Sequence, residues 1–336
     1  MKKQLLIAAV AATMATASMA DISIKGSANI KMAGKDLSTD TFTTQSSSQN
    51  MDVDITGSNG ATKVIAHLDI DNASPDGGTD TSTDGGTINV DKLYMTTAIG
   101  SVNVKAGDWS SCVGMVEGVQ KCTTTNNSIS LSTKVGGYTV GVSGGMSDDS
   151  ATNSLAISGK VAGFDVKIKE SEHTYTDIAV KGDLAIGTGT GFYVEHMNRD
   201  AADSGATLVA AHTVVNGVTL KAASYEADVT GLASNTGEIR PLGTSLVGDY
   251  HTAHALTLAT IKDIKGVGAN MDIQGNNVNV VVGEYDTAAL NGLDFADIVV
   301  TRKLAAGTTL DMSYGKIDTS ATADTTNFGA IINVKF

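Results

Sequence analysis

Asp21-Ile22-Ser23-Ile24-Lys25-Gly26-Ser27-Ala28-Asn29-Ile30-Lys31-Met32 is the stretch that decides the fold. Ile22, Ile24, Gly26, Ala28, Ile30 and Met32 fall on one parity, and Ser23, Lys25, Ser27, Asn29 and Lys31 on the other. Side chains at alternate positions of an extended strand point to opposite faces, so this run reads as a strand with one apolar and one polar side. Runs with the same period recur along the chain, at 48–57, 62–71, 87–98, 100–108, 126–135 and 138–146, and onward to 293–303, 308–317 and 326–336. Counted this way the runs number eighteen to twenty, depending on how 244–287 is divided. Most are about ten residues long, the length at which a tilted strand crosses a bilayer. No run carries a helical stripe.

The connections between runs alternate in length. Ser58-Asn59-Gly60, Ile99-Gly100, Gly136-Gly137 and Ala162-Gly163 are tight turns, whereas 35–47, 72–86, 109–126 and 228–243 are longer polar stretches. Short turns at one end and long loops at the other is the pattern of a membrane β-barrel. A soluble sandwich also alternates, but so many successive hairpins leave a wide sheet with two open edges unless the sheet closes. In lipid closure is compulsory, because an unpaired backbone N–H or C=O finds no water. With only Pro75 and Pro241 to break it, the chain from 21 to 336 reads as one all-β domain, a transmembrane antiparallel barrel.

Residues 1–20 read as a cleavable export signal. Lys2 and Lys3 form a positive start, an apolar run follows from Leu5 to Ala12, and Ser18-Met19-Ala20 offers small residues for cleavage before Asp21. The apolar run is too short to cross a bilayer as a helix, which takes about 20 residues. The formal charge of −13 argues against nucleic acid as a partner, since phosphate backbones are bound by clusters of Lys and Arg. Export also delivers Cys112 and Cys122 to an oxidising compartment, where a disulfide between them is the expected state. On the chain-entropy model a loop so short is stabilised by about 2 to 3 kcal/mol.

The last run, Asn327-Phe328-Gly329-Ala330-Ile331-Ile332-Asn333-Val334-Lys335-Phe336, ends on an aromatic residue with Val334, Ile332, Ala330 and Phe328 at alternate positions behind it. It resembles the carboxy-terminal strand of the Gram-negative general porins of the outer membrane. Leu93 to Asp108 resembles the hairpin before a porin's third loop, and Ile298 to Tyr314 the penultimate hairpin. The resemblance implies an outer-membrane barrel of about sixteen strands (range 16–20), usually a homotrimer in lipid and lipopolysaccharide. It also implies a third loop folded into the lumen, here 109–126, and a terminal signal in Ile332, Val334 and Phe336 read by the barrel-assembly machinery. The chain departs from the family in its 4% aromatic content, its single Trp109, the absence of an acidic motif in the third loop, and a guanidinium supply of only Arg199, Arg240 and Arg302.

If the apolar face of each run meets lipid, Lys25, Lys31, Lys63 and Lys105 point into the lumen. They are similar to the basic wall that porins set across from their third loop, which here carries Glu117 with Asp108 at its base. Opposed charges across a narrow aqueous gap order water and favour small polar solutes over apolar ones. Solvated rim lysines are the plainer alternative. The acidic positions Asp69, Asp71, Asp76, Asp80 and Asp84 suit a loosely bound Ca2+ or a bridge to lipopolysaccharide, although their spacing matches no EF-hand. His251 and His254, three apart, fall on opposite faces of a strand and make poor joint metal ligands. No nucleophile elbow, phosphate loop or metalloprotease motif occurs, so neither an enzyme nor a resident cofactor is expected. Two functions fit: a passive pore for ions and small polar solutes, and an exported β-rich surface-layer protein without channel activity. Scarce aromatics favour the second; the terminal Phe336 and the hairpin rhythm favour the first.

Overall fold

The computed structural model describes residues 21–36, 43–72, 87–111, 123–146, 153–172, 174–185, 189–200, 204–228, 238–239, 244–245, 261–287, 291–320 and 323–336. The expected signal at 1–20, Cys112, Glu117, Cys122, and the acidic positions 76, 80 and 84 lie outside them, as do His251 and His254.

The strands follow one another along the chain. They are β1 (Asp21–Asp36), β2 (Thr43–Asn59), β3 (Thr62–Asn72), β4 (Thr87–Ile99), β5 (Val102–Ser111) and β6 (Thr123–Val135), then β7 (Tyr138–Gly145), β8 (Ser154–Val161), β9 (Phe164–Ser171) and β10 (Tyr175–Asp183). After β11 (Gly191–Arg199), β12 (Ser204–Val215) and β13 (Val218–Ala227), the short β14 (Glu238–Ile239) and β15 (Thr244–Ser245) pair only with each other. The wall resumes with β16 (Ile261–Ile273), β17 (Asn276–Thr287), β18 (Leu293–Ala305), β19 (Thr308–Ser320) and β20 (Ala323–Lys335).

Each wall strand pairs antiparallel with the next, β13 pairs directly with β16, and β20 returns to β1. The result is a closed barrel of eighteen strands. This corrects the sixteen implied by the resemblance to general porins: alternation counted from the residues themselves already began at eighteen. At the seam Ala28 lies opposite Val334 and Ile30 opposite Ile332. The Gly26 N–H donates to the Phe336 carbonyl at 2.9 Å, and the Phe336 N–H donates back to Gly26 at 3.0 Å. Gly26 is required there because a Cβ would lie 2.5 Å from the Phe336 ring. The glycine on the apolar parity of the first run is therefore the seat of the last residue.

One end of the barrel is closed by two-residue turns. Ala162-Gly163, Asn216-Gly217 and Gln274-Gly275 hold both central residues at positive φ, between 51° and 92°, the turn whose twist matches the flanking strands. Most of the longer connections are at the other end, although β19 and β20 are joined there by two residues and the turn-end link from β10 to β11 spans seven. Exposure fixes which face is inside: Ile24 is 63% exposed and Lys31 only 8%. The outer face of the described wall carries Ile22, Ile30, Val142, Val209, Val267 and Met312, an apolar surface that water alone would not tolerate over so wide an area. Charge appears on it toward the loop end, where Lys265 pairs with Glu284 and the register sets Asp294 beside Glu284.

The few aromatic residues divide between the two faces. Tyr138, Phe164, Phe192 and Phe336 stand on the outer face near the turn end, with Phe164 and Phe192 edge-to-face at 5.3 Å. Tyr175, Tyr193, Tyr225, Tyr285 and Phe295 point inward and are buried with Met197, Leu208, Ile264 and Val281. An apolar arc thus lies along the inner wall from β10 to β19, which the scarcity of aromatics gave no means of locating.

Candidate functional site: the barrel lumen

Register carries the inner face from strand to strand. Lys25 lies opposite Asp54, Asp54 opposite His67, and His67 opposite Lys92. Lys63 lies opposite Thr96, and Thr96 opposite Lys105. All four lysines named from the sequence therefore share the lumen face, as alternation predicts. They do not form one cluster. Lys25, Lys63 and Lys105 sit within a few residues of the turn end on β1, β3 and β5, while Lys31 is higher on β1 and buried beside Ile331.

Asp108 takes a different part from the one its position suggests. Its Oδ1 accepts the Asn127 backbone N–H at 2.6 Å, tying β5 to β6 where their register shifts between Gly107 and Trp109. The shift sets Asn126 and Asn127 of β6 against Asp108 alone, with Asn127 at a φ of 46°; beside it Gly107 has a φ of 122°, and a Cβ there would meet the Leu93 carbonyl and lie 2.8 Å from the Tyr94 Cα. Trp109, four residues on from Lys105 and so of the same parity, joins it inside. The Lys105 Nζ is 4.2 Å from the Tyr94 ring centroid and 4.9 Å from that of Trp109. Contacts of this kind contribute about 0.5 to 2 kcal/mol. Because Trp109 is the sole tryptophan and is buried, its fluorescence reports on this stack alone. Lys105→Ala is expected to raise acrylamide quenching severalfold in the folded barrel; unchanged quenching would show that Lys105 does not shield the indole.

Lys105 has a second neighbour in Lys92, close enough for the two charges to repel. The register sets Lys134, Lys160, Lys167 and Lys169 farther along the same inner face, and Lys160 pairs with Asp165 at 2.9 Å. The wall from β4 to β9 is thus rich in lysine although the whole chain is acidic. Carboxylates gather on the adjoining sectors. On β2 and β3 the His67 Nδ1 is 2.8 Å from Asp54 and its Nε2 is 3.5 Å from Asp52, while Ser27 donates to Asp52 at 3.3 Å and Asn50 to Asp69 at 3.1 Å. Asp69, read as part of an acidic loop, belongs to β3 and its hydrogen-bond network. Among the described residues no three His, Cys, Asp or Glu side chains converge on a metal site.

The most enclosed charges were not singled out from the sequence. Glu195 and Asp177 are 0% and 1% exposed on the inner face of β11 and β10. The Tyr193 hydroxyl donates to Glu195 Oε2, Asp177 hydrogen-bonds with Glu195, and Lys167 and Lys169 lie near enough to attract Asp177. Lys169 also stands 5.8 Å from the Tyr175 ring centroid. Alternation alone marks these residues as inward; their convergence depends on the registers of three strands, in which Lys169 faces Asp177 and Ala179 faces Glu195. Removing one member of a buried pair of opposite charges typically costs about 3 to 5 kcal/mol, because the other is left buried without a partner.

No protein-family model matches the sequence, and no curated protein matches it significantly. Solved structures do match the fold. OccAB4 of Acinetobacter baumannii superposes with a TM-score of 0.63 at 10% identity, covering 95% of this chain and 99% of its own. OccK9 (OpdG) of Pseudomonas aeruginosa gives 0.64 at 11% identity, covering 94% and 99%. OprD of the same organism gives 0.61 at 12% identity, covering 94% and 95%. The fold is that of Occ and OprD barrels over nearly the whole chain, and not specifically that of the general trimeric porins the sequence brought to mind.

Proposed function

We propose that the protein is a passive, water-filled channel of a Gram-negative outer membrane, admitting ions and small polar solutes. The observation that carries this is the division of the closed wall into an apolar outer face and an inner face set with Lys, Asp, Asn, Ser and Thr. A surface-layer protein bathed in water has no use for the exposed Ile24, Val142 and Val267. A channel in lipid needs them, and it needs closure because the hydrocarbon supplies no hydrogen bonds. The lysine-rich sector at β4–β9 favours anions in the pore. No catalytic step and no cofactor belong to this proposal.

Several elements of the same proposal rest on the sequence. They are export by residues 1–20, a Cys112–Cys122 disulfide, assembly as a homotrimer, and recognition of the Phe336-ended strand by the barrel-assembly machinery. Because β5 runs to Ser111 and β6 starts at Thr123, the third loop read at 109–126 shortens to 112–122; its folding into the lumen with Glu117, and loose Ca2+ at the acidic loop positions, stand on the same footing. The Occ and OprD likeness supports a channel of this shape and adds nothing on subunit number. Planar-bilayer recording of the detergent-extracted protein tests the central claim: stepwise, ohmic currents are expected, and a protein that inserts without conducting overturns it.

A further inference from the structure

The lumen wall near the turn end, between β16 and β1, encloses a cavity of about 630 Å³. Its lining includes Asn29, Asn277, Thr301, Thr309, Asp311 and Asn333, and no aromatic or large aliphatic side chain. Resting on the channel reading, we propose that this cavity is a binding subsite for an uncharged, polyhydroxylated solute such as a sugar or sugar alcohol.

The chemistry of the lining carries the proposal. Each hydroxyl of such a solute donates and accepts at once, and carboxamides and hydroxyls answer both demands. The amides are also held in place beforehand. Asn277 and Asn270 exchange hydrogen bonds at 2.7 and 3.0 Å, and the Asn277 amide also reaches Asp272 at 3.3 Å. Asn333 donates to Asp311 at 2.6 Å. Side chains already fixed by their neighbours lose little freedom when a solute arrives, which is the main way a polar site gains affinity against water. The carboxylates here serve as acceptors that orient amides.

Charge points the same way. The cavity is bordered by Lys303 and Lys335 and by Asp272 and Asp311, two of each sign. The charges that line the cavity balance, unlike those of the lysine-rich sector on β4–β9. A binding free energy spread over several neutral hydrogen bonds is small, as suits a channel in which the solute must leave as readily as it enters. A cavity of this volume has room for a mono- or disaccharide, in the range usual for small-ligand sites.

Single-channel recording with maltose or glucitol added at the turn side tests the proposal. Brief, concentration-dependent interruptions of current are expected for the native barrel. They should weaken about tenfold, or about 1.4 kcal/mol, in Asn277→Ala/Asn333→Ala. Asn103→Ala, on the inner face of β5 away from the cavity, should leave them unchanged. Currents that are normal yet indifferent to both sugars, or equally interrupted in the double variant, overturn the subsite while leaving the channel intact. Interruption by glycine at the same concentrations as by glucitol overturns the preference for uncharged polyols. A barrel without currents removes the channel reading and the subsite with it.

Discussion

Replacing Ile332 by proline is expected to abolish the folded barrel. β20 is bonded on one side to its chain neighbour β19 and on the other to the first strand, β1, and so forms the seam of the barrel. Since Phe336 and Gly26 exchange both backbone hydrogen bonds, the alternation of an antiparallel ladder makes Ile30 and Ile332 another exchanging pair. Proline removes the N–H that reaches Ile30 and adds a ring within a strand paired on both sides. In water such a defect is partly relieved by solvent; against hydrocarbon each unsatisfied group costs several kcal/mol. Heat-modifiability on electrophoresis reads the outcome. Ile332→Pro should run only as unfolded chain, whereas Ile332→Ala, which keeps the N–H, should retain the folded band. A folded band for the proline variant would mean that β1 and β20 do not form the closure.

The second large effect is on ion preference. Lys92 and Lys105 lie together on the inner face, so Lys92→Glu/Lys105→Glu turns two positive charges into two negative ones in one place. The reversal potential across a salt gradient should move toward cations, with the permeability ratio changing severalfold at low salt. At 0.01 M the Debye length is ~30 Å and a wall charge acts across the lumen, while at 1 M it is ~3 Å and the shift should nearly vanish. Lys105→Met tests the same patch differently, since it removes one charge and the cation–π contacts together. A reversal potential unmoved by the double variant at low salt would show that the permeating ions pass clear of β4 and β5.

Much of the fold was legible because a membrane wall imposes one rule on every strand. Parity gave the faces of β1 correctly from Ile22 to Met32, and Gly-containing pairs such as Ala162-Gly163 marked the turns. Strand number was partly legible: the runs counted eighteen to twenty and most coincide with wall strands, but the run read at 244–264 reaches β16 (Ile261–Ile273) only at its end, and the figure of sixteen came from the resemblance. The lumen was only half legible. Parity placed Lys25, Lys31, Lys63 and Lys105 inside, but height along the barrel depends on how each strand is staggered against the next, which alternation does not encode. The bulge between β5 and β6 shows the other limit. Trp109 shares the parity of Lys105 and reads as inward, but the extra residue on β6, which commits Asp108 to the Asn127 backbone, is not announced by a period-two pattern.

The placement of the outer aromatic residues bears on how the barrel rides in a bilayer. Tyr314 and Phe328 pair midway along the wall, but Tyr138, Phe164, Phe192 and Phe336 lie near the turn end, where amphipathic and apolar rings seek the boundary between headgroups and acyl chains. Toward the loop end the described outer wall passes instead to ionic side chains such as Lys265 and Glu284. An anchor at one boundary and a charged stop at the other hold the barrel unequally. On the channel reading, depth is set from the turn side and a change in leaflet thickness is taken up at the loop side, where mismatch costs only a fraction of a kcal/mol per Å.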